Sequence, residues 1–133
     1  MSREALTALA RDCEFWAVLL SSIKSIWLYP MIVDFRKQLD GLIIIIVDAL
    51  DKDPSSGDLF IFRNRSGNKL KCVYFDGRCF WLLYCRLEKG RFKLPQPGTA
   101  VWELSHNEMQ WLFSGINFMK QKVRKSNKIE YFY

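Results

Sequence analysis

Leu59-Phe60-Ile61-Phe62-Arg63-Asn64, Leu70-Lys71-Cys72-Val73-Tyr74-Phe75 and Cys79-Phe80-Trp81-Leu82-Leu83-Tyr84-Cys85-Arg86 decide the fold. Each run is short and rich in aromatic and branched residues, and each is bounded by turn-forming sequence, which predicts three strands. The first gap, Arg65 to Lys69, contains Ser66-Gly67-Asn68, and the second is Asp76-Gly77, a tight-hairpin signal because glycine accepts positive φ. The product is an antiparallel meander. Leu70, Cys72 and Tyr74 share one side of their strand while Val73 and Phe75 share the other, so both sides are apolar. A half-solvated sheet would alternate with polar residues; this one needs helices or a second subunit on both faces.

Working upstream, Asp51 to Gly57 is a loop by composition, and a helix is expected from Asp34 to about Leu50. Its stripe is Leu39, Leu42, Ile43, Ile46 and Leu50, with Asp34 as N-cap, although four consecutive isoleucines keep a strand reading open. Ile44 and Ile45 fall off the stripe and call for cover by another element or by a partner chain. Ile23 to Tyr29 is strand-like and Pro30 is expected to end it. Residues 3 to 20 show the stripe Leu6, Leu9, Ala10, Cys13, Ala17 and Leu20 of an amphipathic helix. Downstream, Gly90, Pro95 and Pro97 break the chain, Ser105 with Glu108 makes a capping box, and Met109, Leu112, Phe113 and Ile116 give the face of a closing helix. The class is α+β: an antiparallel meander of about four to five strands packed with two to three α-helices. The chain divides into a helical extension (1–22), an α+β domain (23–116) and a basic tail (117–133).

The 133 residues carry a net charge of +6 and a pI near 9.3, which favours an acidic partner: nucleic acid, an anionic membrane surface or an acidic protein. Cys13, Cys72, Cys79 and Cys85 form no C-x-x-C pair and His106 stands alone, so neither a metal nor another cofactor is expected. The thiols suit a reducing compartment, with three of them on strands as small apolar residues. The longest apolar stretch, Leu42 to Val47, is far below the ~20 residues a bilayer span needs. No leader sequence is apparent, which sets the expectation of a soluble, cytoplasmic protein with no membrane partner, nucleoid-associated if nucleic acid is the acidic partner.

Phosphate contacts are the chemistry the pattern suggests. Arg36 and Lys37 would sit in the first turn of the Asp34 helix, where exposed amides and cations together suit an anion, or would simply be solvated. Arg63, Arg65, Lys69, Lys71, Arg78, Arg86, Lys89, Arg91 and Lys93 add cations beside aromatics, although lysines also protect sheet edges and aromatics are mostly core. No nucleophile elbow, P-loop or dinucleotide motif occurs, and a carboxylate metal site among the scattered aspartates has little support. No enzymatic role is expected.

Several strings then occur in order. Asp34-Phe35-Arg36-Lys37 with Asp40-Gly41-Leu42 fits a D-[MF]-R-[KR]-x-x-D-G-L motif. Pro54, Ser56-Gly57-Asp58-Leu59-Phe60-Ile61-Phe62, Lys69-Leu70-Lys71, Tyr74-Phe75-Asp76, and Arg86-Leu87-Glu88-Lys89-Gly90-Arg91-Phe92 leading to Pro95 follow. Over residues 24 to 116 the chain resembles the Orf2-like (TnpB) accessory proteins of the insertion-sequence-66 family of bacterial transposons. The resemblance implies a non-catalytic accessory role in transposition, beside a separate transposase that carries the catalytic acids. The expected partners are DNA at the insertion-sequence ends, contacted through Arg36, Lys37, Arg63, Arg65, Lys69, Lys71, Arg86, Lys89 and Arg91, and the cognate transposase. The alternative is an adaptor that docks on the transposase without touching DNA. Self-association is left open.

Overall fold

A computed structural model describes residues 21–121. The order is β1 (Ile26–Ile32), α1 (Leu39–Asp48), β2 (Leu59–Arg63), β3 (Lys69–Phe75), β4 (Phe80–Arg86), β5 (Trp102–Leu104), α2 (His106–Phe113) and a 3-10 turn (Phe118–Lys120). The helix expected over residues 3–20 and most of the basic tail lie outside the described residues. The strands form one sheet in the order β4-β3-β2-β1-β5. β2, β3 and β4 are the expected antiparallel meander, and the fold is α+β.

β1 lies parallel to β2, whereas β5 pairs with it antiparallel, so the sheet is mixed. Parallel neighbours cannot be joined by a hairpin and need a long crossover, which α1 and its flanking loops supply. Pro30 does not end the first strand, as expected from its lack of an N–H; β1 continues to Ile32. The register with β2 shifts between Leu28 and Ile32, and β5 pairs only with Ile26 to Leu28, so no ladder bond is required at position 30. The Pro30 carbonyl instead accepts the Gly98 N–H at 3.1 Å.

α1 starts at Leu39, not at Asp34. Asp34 organises a turn before it: its carboxylate accepts the Arg36 N–H at 2.9 Å, and its carbonyl accepts the Lys37 N–H at 3.0 Å. The turn folds close against the helix start, since a Cβ at Gly41 would lie 3.2 Å from that of Lys37. The four isoleucines are helical. Leu42 and Ile46 are fully buried against Phe60, Phe62 and Val73, and Ile45 is half-buried in the same layer. Ile44 is 58% exposed.

The opposite face packs on α2. Met109 and Leu112 join Phe92 and Phe118 over Ile26, Leu28, Leu59, Ile61, Leu70 and Cys72. The Ser105–Glu108 capping box forms as expected: the Ser105 hydroxyl accepts the Glu108 N–H at 3.1 Å, and Glu108 accepts the Ser105 N–H at 2.8 Å. Burial on both faces of β2 and β3 therefore comes from helices of the same chain.

The β3–β4 turn spans 76–79, longer than two residues, because the Asp76 carboxylate accepts the N–H groups of Arg78 and Cys79, both at 2.8 Å. Trp81 Nε1 donates to it as well, at 2.8 Å. The Trp81 bond and then the two amides hold the Asp76 carboxyl down at about 2. Gly77 takes the positive φ, 103°, and Cys79 is exposed in this turn and not on a strand.

The helical assignment of the isoleucine run has a direct consequence. Ile46→Ala should cost about 2–5 kcal/mol in urea denaturation, as buried Ile-to-Ala changes do. Ile44→Ala should stay within about 0.5 kcal/mol of the parent. Equal losses at both positions would contradict the packing of α1.

Candidate nucleic-acid interface

Because β1 and β2 run parallel and β3 returns, the ends of β1, β2 and β4 and the start of β3 share one end of the sheet. This topology collects all nine residues expected to contact DNA and leaves Arg78, in the β3–β4 turn, at the opposite end. Arg36 and Lys37 follow β1, Arg63 ends β2, and Arg65 lies in the β2–β3 turn. Lys69 and Lys71 open β3, Arg86 closes β4, and Lys89 and Arg91 follow it. Two backbone bonds hold the turn and the last loop together: Leu87 N–H to the Asn68 carbonyl and Phe92 N–H to the Gly67 carbonyl, both 2.8 Å.

Two of the nine are buried and bonded to backbone carbonyls. Lys71 is only 5% exposed, and its ammonium donates to the carbonyls of Phe35 (3.0 Å) and Lys37 (2.8 Å), 5.0 Å from the Phe35 ring centroid. It pins the turn before α1 to the sheet. Burial, and then the charge of Lys69, lowers its pKa from the usual lysine value. Arg63 is 9% exposed; its Nη1 donates to the Pro95 carbonyl, while its buried Nε has no hydrogen-bond partner among the described residues. Burial lowers its pKa too. Neither side chain is presented to a phosphate.

The other seven are placed differently. Lys69 stands directly opposite Arg86 across β3 and β4, and Tyr84 is opposite Lys71. Directly opposed residues share a face, so Lys69, Tyr84 and Arg86 form one surface beside the Lys71-pinned turn. Arg65, Arg86, Lys89 and Arg91 are exposed and Lys69 is half-buried. Arg86 is paired with Glu88 (Nη2 to Oε2, 3.1 Å), with both side chains solvent-facing. Arg36 and Lys37 are not in a helical first turn: they precede α1, and Arg36 grips Asp34 at 2.6 Å. The Arg36 side-chain bond is the main reason the Asp34 carboxyl sits at about 2. Tyr84, 53% exposed, was missed in the sequence, where strand aromatics read as core; its place two residues before Arg86 on an outer strand is the signal available.

The opposite end of the sheet has the other sign. It carries Asp48 at the end of α1, Asp51, Asp53 and Asp58 in the following loop, and Asp76 in the β3–β4 turn, against Lys24, Lys52 and Arg78. Lys52 lies over the Trp27 ring at 3.6 Å. At the basic end the acids are Asp34, Asp40 and Glu88, and two of these are in ion pairs. Among the described residues, no group of three or more His, Cys, Asp or Glu is placed to hold a metal ion, and no helix is long and apolar enough to cross a membrane.

The model of the IS66 Orf2-like protein family matches residues 24–123, which include β1 to β5, α1, α2 and the 3-10 turn. The chain belongs to the IS66 Orf2-like family. Two similar proteins come from Sinorhizobium fredii (strain NBRC 101917 / NGR234). "Uncharacterized protein y4jC" is 33% identical over 100 residues, covering 73% of this chain and 86% of its own. "Uncharacterized protein y4hO" is 32% identical over 93 residues, covering 70% and 81%. No solved structure matches. Family membership connects this IS66 Orf2-like chain to an insertion sequence and places residues 1–23 outside the matched span.

The division between internal and presented cations is measurable in stability. Lys71→Ala should lose about 1–3 kcal/mol in chemical denaturation, because two carbonyls under the turn lose their donor. Lys69→Ala should change stability by no more than about 0.5 kcal/mol. The reverse ranking would show that Lys71 does not hold the turn.

Proposed function

We propose that this chain is a non-catalytic accessory protein of insertion-sequence transposition that binds DNA through the basic end of its sheet. The observation that carries this reading is the segregation of charge, with Lys69 directly opposite Arg86. Like charges facing each other across a ladder destabilise it, and Glu88 offsets only one of the two. A bound phosphate relieves the repulsion, and Arg65, Lys89 and Arg91 extend the positive surface along the adjoining loops. These contacts fix position on the DNA without reading its sequence. Two of the three carboxylates nearby have structural tasks: Asp34 orders the turn before α1 and Glu88 pairs with Arg86. That supports a binding role, with cutting and joining left to the separate transposase.

A second reading is an adaptor that docks on the transposase. It is favoured by Ile44 and Val47, both exposed on the outer side of α1, 58% and 47% respectively. An apolar groove of about 570 Å³ on the other side of the sheet, lined by Leu59, Leu83, Met109 and Phe113 among others, favours it too.

Salt dependence separates the two. A labelled insertion-sequence end should bind the purified protein with log affinity falling against log salt at a slope of about −4, from −0.9 for each phosphate neutralised. Arg86→Ala, Lys89→Ala and Arg91→Ala combined should flatten that slope by about 3 while leaving the protein folded. Absence of binding at low salt would favour the adaptor.

A further inference from the structure

We propose that the β3–β4 surface at the basic end takes single-stranded DNA, with Tyr84 stacking on an unpaired base while Lys69 and Arg86 hold the phosphates beside it; this rests on the nucleic-acid reading above. The helices give the first argument. Neither α1 (LDGLIIIIVD) nor α2 (HNEMQWLF) contains a lysine or arginine. Proteins that read duplex DNA with a helix place such side chains on the helix that enters the major groove. Among the described residues the exposed cations stand on strands, loops and the 3-10 turn instead.

Tyr84 gives the second. It lies on β4, an edge strand, with more than half of its surface in solvent, although β3 beside it and β2 beyond bury nearly all of their side chains. Arg86 follows it on the same face at about 6.7 Å along the strand, and Lys69 sits across from Arg86 about 4.8 Å away in the pairing direction. An aromatic face with cations within about one nucleotide's reach is the arrangement by which proteins hold single strands: charge follows the backbone and the ring takes a base. In a duplex every base face is already covered by its neighbours. A duplex therefore engages the cations only, and a single strand engages the ring as well.

The experiment compares fluorescein-labelled DNA of about 16 nucleotides, single-stranded and as the matching duplex, by anisotropy on the full chain. The expected result is single-strand binding about tenfold tighter than duplex. Tyr84→Thr, which keeps a strand former at an exposed position, should remove about tenfold from single-strand affinity and leave duplex affinity unchanged, and Tyr84→Phe should behave as the parent. Circular dichroism establishes that both variants are folded. Equal affinity for the two DNA forms, or a Tyr84→Thr loss that is the same for both, would overturn the proposal while leaving DNA binding in place. Tighter binding of a ribose oligomer of the same sequence would overturn DNA as the ligand. Failure of either DNA form to bind at low salt would instead remove the nucleic-acid reading, and this proposal with it.

Discussion

The middle of the sheet is apolar on both faces, and most other features follow from that constraint. β2 and β3 bury almost every side chain, under α1 on one side and under α2 with Phe92 and Phe118 on the other. A charged group that originates there must find an internal partner, since burying an unpaired polar group costs free energy. Lys71 finds the carbonyls of Phe35 and Lys37, and Arg63 finds that of Pro95. Both side chains secure irregular segments to the sheet: the turn before α1 and the proline-containing stretch after β4. The interior cations thus act as ties that hold the loops of the basic end.

The same constraint displaces the presented chemistry outward. Surface remains at the outer strand β4 and at the sheet's ends, and the strand directions give the two ends opposite charge. The parallel β1–β2 pair is what aligns the end of β1 with that of β2, so Arg36, Lys37 and Arg65 lie at the end shared with Lys69 and Arg86. Had β1 and β2 been antiparallel, the Asp34 turn would stand at the acidic end. Sheet topology, more than any single motif, therefore makes the positive surface.

Much of this was legible in the sequence, for identifiable reasons. The meander, the two-sided burial and the Ser105 cap depend on local patterns: alternation, turn glycines and the spacing of Ser105 and Glu108. The misreadings depend on partners far along the chain. Asp34 has the side chain of an N-cap but uses it on the Arg36 amide, and the helix waits until Leu39. Pro30 is a strand terminator by its own chemistry, yet it is tolerated where the register with β2 shifts. Alternation placed Lys69 and Lys71 on one face, but only the turn folded over Lys71 separates an internal lysine from a presented one. The order of Asp34-Phe35-Arg36-Lys37 and the downstream strings gave the family, which is where local motif content is highest.

The central claim is that the outer strand and the loops of the basic end form the contact surface for DNA. Backbone amide chemical-shift mapping on the labelled protein, titrated with DNA of the insertion-sequence end, tests it most directly. The account predicts the largest shifts at Arg65, Lys69, Tyr84, Arg86, Lys89 and Arg91, with little change at Ile44 and Val47 on the outer side of α1. Shifts concentrated on α1 or around the α2 groove, with the basic end unmoved, would contradict it.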